Sequence, residues 1–134
     1  MGLLFKQMTI VGVGLIGGSL GMICKRQGLV GTVVGAGRRV ENLKKAVELK
    51  AIDRYSTDLA EAASGSDLLV LATPVDTFEA VLKTCASRLA AGAVITDVGS
   101  VKGPLVARME ALAPAGARVV GAHPIAGREK TGVD

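Results

Sequence analysis

A chain of 134 residues has the size of one domain. Its 49% of hydrophobic residues supplies apolar surface enough for a core and excludes a disordered chain. Aromatic residues are only 2%, which argues against a stacking platform for single-stranded nucleic acid. The net charge of +4 is unevenly spread, because Lys25, Arg26, Arg38, Arg39, Lys44, Lys45 and Lys50 face only Glu41 and Glu48 within one segment. Such a patch suits a small anionic ligand better than a surface that tracks DNA. A solvated helix face would by itself account for Lys44, Lys45 and Lys50. Cys24 and Cys85 stand far apart with no Cys or His cluster, so neither a disulfide framework nor a metal site is expected. Small buried hydrophobes in a reducing cytoplasm are expected instead.

The stretch from Met8 to Cys24 is uncharged and mostly apolar, but Gly12, Gly14, Gly17, Gly18 and Gly21 interrupt it. It reads as a buried strand, a turn and a helix, not as a signal peptide or a membrane span. In chain order the pattern predicts a strand over 8–12, a helix over 15–27 stopped by Gly28, and a strand over 32–36. A helix over 41–50, a short helical turn over 58–63 and a strand over 67–72 follow. Then come a helix over 75–89 opening after Pro74, a strand over 93–96, a helix over 102–112 and a last strand over 118–121. Continuous apolar strands separated by helices mean parallel strands covered on both faces. The expected fold is therefore a doubly wound α/β domain over 1–134, with ligands at the carboxyl ends of its strands.

Five motifs fall at those ends. Gly12-Val13-Gly14-Leu15-Ile16-Gly17 follows a strand and opens a helix, the context that a dinucleotide-binding glycine loop requires. Gly12 permits the turn, Gly14 the approach of a pyrophosphate, and Gly17 close packing of helix on strand, with Gly18 and Gly21 extending that contact. The helix start, with Leu15 and Ile16, offers free N–H groups to phosphates. Gly37-Arg38-Arg39 ends the second strand. An NAD site would place an acid near here, about 20 residues after the glycines. Gly37 stands there instead, and two guanidiniums could grip a 2′-phosphate. NADP is therefore favoured over NAD. The bland alternative is a pair of exposed loop arginines, with Glu41 touching the ribose.

Thr73-Pro74 lies at the next strand end; Thr73 either bonds the cofactor or caps the helix that Pro74 helps to open. Ser100, in Thr96-Asp97-Val98-Gly99-Ser100, is either a helix cap or a residue that bonds a substrate hydroxyl. Asp97 either orients a neighbour or satisfies local backbone N–H groups. His123, the chain's only histidine, follows the last strand and is held extended by Pro124. An imidazole there could serve as the base of a dehydrogenase, or it could be structural.

The runs GVGLIGGSL, TDVGSVKG and GAHPIAGREKTGVD together resemble the prephenate/arogenate dehydrogenases of tyrosine biosynthesis, from Met8 to Asp134. The HPIAG-x-EK-x-G signature is far more specific than the glycine loop. The resemblance implies a Rossmann-like fold and hydride transfer from a ring hydroxyl carbon to NAD(P), coupled to decarboxylation that makes the ring aromatic. It implies that His123 accepts the hydroxyl proton, that Ser100 binds the hydroxyl, and that Glu129 is an acidic active-site residue. Glu129-Lys130 leans toward prephenate or dual specificity. Arg128 departs from the Thr expected between Gly127 and Glu129. Family members continue into a helical domain that dimerises and supplies an arginine for the substrate carboxylate, so a sheet truncated before that domain, incapable of turnover alone, is expected. A cytoplasmic homodimer when full length is implied, with a small-molecule substrate and neither nucleic acid nor membrane as partner. Two other readings share the first three motifs: another two-domain NADP oxidoreductase acting on a hydroxy or imino acid, and a nucleotide-sensing module without catalysis.

Overall fold

The computed structural model describes residues 4–13, 15–97 and 117–120. Its strands are β1 (Phe5–Val11), β2 (Val30–Ala36), β3 (Arg54–Ser56), β4 (Leu68–Leu71), β5 (Val94–Asp97) and β6 (Arg118–Val120). The helices are α1 (Leu15–Arg26), α2 (Val40–Glu48), α3 (Leu59–Ala63) and α4 (Phe78–Cys85). Every strand pairing is parallel and the order is β3-β2-β1-β4-β5-β6. The order reverses between β1 and β4, which is where a doubly wound sheet opens a crevice.

The apolar runs explain this arrangement. Met8 and Ile10 of β1 join Cys24, Val33, Leu43, Ala46 and Val70 in one buried cluster on the side of α1 and α2. Val11 joins Val34, Leu69, Leu71, Phe78, Leu82 and Ile95 in the cluster on the side of α3 and α4. Alternate residues of one strand thus feed two cores, and each fully buried side chain contributes roughly 1.5–3 kcal/mol. Polar anchors fix the register. The buried Thr9 hydroxyl donates to Ala62 O at 2.9 Å, tying α3 to β1. The Asp67 carboxylate accepts from the N–H groups of Lys6 and Gln7, each at 2.9 Å.

The stretch expected as one helix over 75–89 is divided. Val75–Thr77 and Ala86–Arg88 are 3₁₀ turns flanking α4. At the first of them the Thr77 N–H bonds Pro74 O at 2.9 Å, three residues back, which winds the chain more tightly than an α-helix. β3 was not expected: it has three residues, Arg-Tyr-Ser, too few and too polar to show as a strand. Helix α2 ends at Glu48, short of the expected Lys50, in a Schellman motif. Lys50 N–H bonds Val47 O at 3.0 Å and Ala51 N–H bonds Ala46 O at 2.9 Å. That motif forces Lys50 to φ 63°, a position usually given to glycine. Lys50→Gly is expected to stabilise the fold by about 0.5–1 kcal/mol, relief of left-handed strain outweighing added unfolded-state entropy. A lower urea midpoint for the variant would contradict this. The helix expected over 102–112 lies outside the described residues.

Both cysteines are buried within helices and free. Burial raises the Cys24 thiol and pushes that of Cys85 up to about 11, so neither is a nucleophile at neutral pH. The apolar stretch from Met8 resolves into β1 and α1, and no described helix is long and apolar enough to cross a membrane.

Candidate functional site

Register brings the strand ends level. Val11 pairs with Ala36 on one side and Leu71 on the other, and Leu71 pairs with Asp97. Gly37, Gly12 and Ala72 therefore emerge side by side from β2, β1 and β4. The Gly12 N–H continues the ladder to Ala36 O at 2.8 Å, and the Ala72 N–H bonds Val11 O at 2.9 Å. Gly12 then turns at φ +89°, where a Cβ would stand 2.6 Å from Thr73 Cγ2 and 3.1 Å from the Ala72 carbonyl. A side chain has no place there, and the turn exists because residue 12 is glycine.

Gly17 has the second role expected of it. A Cβ there would lie 3.0 Å from both Gly12 O and Ile10 Cγ2, so its absence lets α1 sit tightly on β1. Gly21 extends this approach, since a Cβ would collide with Ala51 O; Gly18 does not, its nearest neighbour being Ala51 Cβ at 3.9 Å. Leu15 and Ile16 form the start of α1, whose first turn contains no acid to repel a phosphate. Gly14 lies outside the described residues.

Two cavities open at this edge. One of about 280 Å³ is lined by Gly12, Val13, Gly37, Arg38, Arg39, Asn42, Leu43, Ala72, Thr73 and Pro74. The other, about 470 Å³, adds Val11, Thr57, Leu59, Thr77 and Val81 and shares Gly12, Gly37, Arg38, Thr73 and Pro74 with the first. Together they form one groove across the crevice between β1 and β4. A wider cavity of about 590 Å³ lies at the far ends of α1 and α2, but Lys25 there is already tied to Asp53 at 3.0 Å and to Gly31 O at 3.2 Å. The groove at the strand ends, where Gly12, Gly37-Arg38 and Thr73-Pro74 meet, is the functional candidate.

Arg38 and Arg39 are exposed at its rim, and among the described residues neither makes an ion pair. Arg39 is also the N-cap residue of α2 and makes no side-chain cap bond, which leaves the start of α2 uncapped beside the rim. A Cβ at Gly37 would meet Leu43 only at 3.6 Å, an ordinary contact. The lack of an acid at the end of β2 is therefore not dictated by crowding. Thr73 does not cap α4; its hydroxyl pairs with that of Thr77 at 2.7 Å. Pro74 lines both cavities beside it. Asn42, Thr57 and Thr77 line the groove without having been expected. For Thr77 the signal was available, since it follows Thr73 at helical spacing.

Ser100, His123 and Glu129 lie outside the described residues, as do Arg128 and Lys130. The strands that precede the first two, β5 and β6, are neighbours and run parallel to β1 and β4, with Thr96 paired to Val120.

The family described as prephenate dehydrogenase, nucleotide-binding domain, matches residues 20–134. The chain belongs to this family. Among relatives of this nucleotide-binding domain, the prephenate dehydrogenase of Lactococcus lactis is 32% identical over 96% of the chain and 36% of its own length. The crystal structure of the A. aeolicus prephenate dehydrogenase with hydroxyphenyl propionate and NAD+ superposes with a TM-score of 0.79 at 39% identity, covering 91% of this chain and 42% of that one. The Synechocystis arogenate dehydrogenase gives a TM-score of 0.71 at 30% identity, over 79% of this chain and 37% of that one. The nucleotide-binding chain spans about a third of the length of the curated relatives it matches, 36% and 34% for the first two.

Proposed function

We propose that this domain binds NADP and serves an enzyme that oxidatively decarboxylates prephenate or arogenate. The observation that carries the cofactor half is the groove itself. Its floor at Gly12 excludes any side chain, and its rim bears two exposed guanidiniums, without an ion pair among the described residues, where an NAD site would hold an acid. The cradle fits a pyrophosphate, and Arg38 and Arg39, with the start of α2, fit a 2′-phosphate. The A. aeolicus relative was solved with NAD+, so the preference for NADP rests on Gly37, Arg38 and Arg39 of this chain. When bound, the nicotinamide supplies the hydride acceptor.

The substrate half rests on the HPIAG-x-EK-x-G signature and on family membership. In this reading Ser100 bonds the ring hydroxyl and His123 accepts its proton as the hydroxyl carbon loses hydride. Loss of the carboxylate as carbon dioxide then leaves the ring aromatic. Glu129-Lys130 favours prephenate or dual specificity. The enzyme is read as a cytoplasmic homodimer acting on a small anion, with no nucleic-acid or membrane partner.

In the enzyme assayed with prephenate and NADP, His123→Asn is expected to lower kcat about 10²–10⁴-fold, the usual share of a positioned acid–base group, with cofactor affinity intact. Near-normal turnover by the variant would remove His123 from the mechanism. Failure of the unmodified enzyme to reduce NADP or NAD with either prephenate or arogenate would refute the substrate assignment.

A further inference from the structure

Thr73 and Thr77 form a hydroxyl chain whose direction is set by its far end. Thr77 Oγ1 lies 2.6 Å from Pro74 O and 2.7 Å from Thr73 Oγ1. A carbonyl oxygen only accepts, so the Thr77 proton goes to Pro74. A hydroxyl has a single proton. The proton between the two threonines must then belong to Thr73, which donates to Thr77. Thr73 is left with lone pairs alone, and it lines both cavities of the groove, its methyl group against Gly12.

Thr77 is placed to do something else and does not do it. It is the N-cap residue of α4, yet its side chain makes no cap bond to the helix. Its hydroxyl is committed instead to Pro74 and Thr73. Two linked hydroxyls ending on a carbonyl polarise one another, which strengthens the acceptor at the near end.

We propose that Thr77 is a positioning residue that makes Thr73 an acceptor only, so that this point of the groove takes a donor of the bound dinucleotide, a ribose hydroxyl, and disfavours a phosphate oxygen. The proposal rests on the dinucleotide reading above. It goes further by assigning a polarity to the middle of the groove and a partner to Thr73.

The test is calorimetric titration of the protein with NADP and, separately, with inorganic pyrophosphate, which offers anionic acceptor oxygens and no ribose hydroxyl. Thr77→Val removes the end of the chain and frees the Thr73 proton to turn into the groove. NADP affinity should then fall about fivefold, the worth of one neutral hydrogen bond. Pyrophosphate should bind the variant as well as before or better. Thr77→Ser, which keeps the hydroxyl, should restore NADP affinity. Thr73→Val leaves Thr77 bonded to Pro74 and should give the same NADP loss, with no further loss in the double variant; it keeps the test open should Thr77→Val lose its fold. Equal losses for NADP and pyrophosphate in Thr77→Val, or no loss for NADP, would overturn the proposal. An unmodified protein that binds neither NADP nor NAD would overturn the dinucleotide reading and this proposal with it.

Discussion

Gly12→Ala is expected to abolish measurable dinucleotide binding and to cost the fold about 2–4 kcal/mol, combining left-handed strain with overpacking. Residue 12 turns at φ +89°, and the new Cβ would stand 2.6 Å from Thr73 Cγ2 and 3.1 Å from the Ala72 carbonyl. The end of β4 would have to move away from β1. That movement would distort the crevice at the reversal of strand order and disturb the Thr73–Thr77 hydroxyl pair. Gly18→Ala is the control, because its Cβ would meet only Ala51 Cβ at 3.9 Å, and alanine suits a helix interior better than glycine. Urea denaturation and calorimetry on the two variants check the contrast. An alanine at position 12 that left both stability and binding unchanged would show that the turn is not the cradle.

Arg38→Ala with Arg39→Ala is expected to weaken NADP binding about 10- to 100-fold, the loss of a charge-assisted hydrogen bond, while NAD binding stays within about twofold. Both guanidiniums are exposed, so the effect should shrink in high salt. The asymmetry is the informative part. A general loss of positive charge near the groove would weaken both cofactors through their shared pyrophosphate, whereas contacts to the 2′-phosphate would weaken only one. Equal losses would return Arg38 and Arg39 to the role of exposed loop residues.

The elements that position this groove were legible because they are apolar throughout. Met8 to Val11 and Leu68 to Leu71 bury alternate residues in two cores, and a run buried on both faces has one reading in a chain with helices between its strands. Gly12 and Gly17 were legible because glycine at a strand-to-helix turn has a steric meaning, and neighbouring atoms do crowd both residues too closely for a side chain. β3 was not legible, since Arg54, Tyr55 and Ser56 pair with β2 through backbone bonds that leave no hydrophobic signature. Nor was the division of the helix after Pro74, which depends on where the Thr77 hydroxyl and N–H go, not on residue type. The sequence left Thr73 either a cap or a ligand-binding group. Its hydroxyl meets that of Thr77, and among the described residues it caps no helix N–H. The roles proposed for Ser100, His123 and Glu129 rest on the sequence and its family signature alone.

The groove between β1 and β4 is proposed to bind a dinucleotide and to read its 2′-phosphate through Arg38 and Arg39. Side-by-side calorimetric titration of the unmodified protein with NADP and NAD tests it most directly. NADP is expected to bind at least about tenfold more tightly, the equivalent of roughly 1.4 kcal/mol. NAD binding as tightly as NADP, or more so, would contradict the claim.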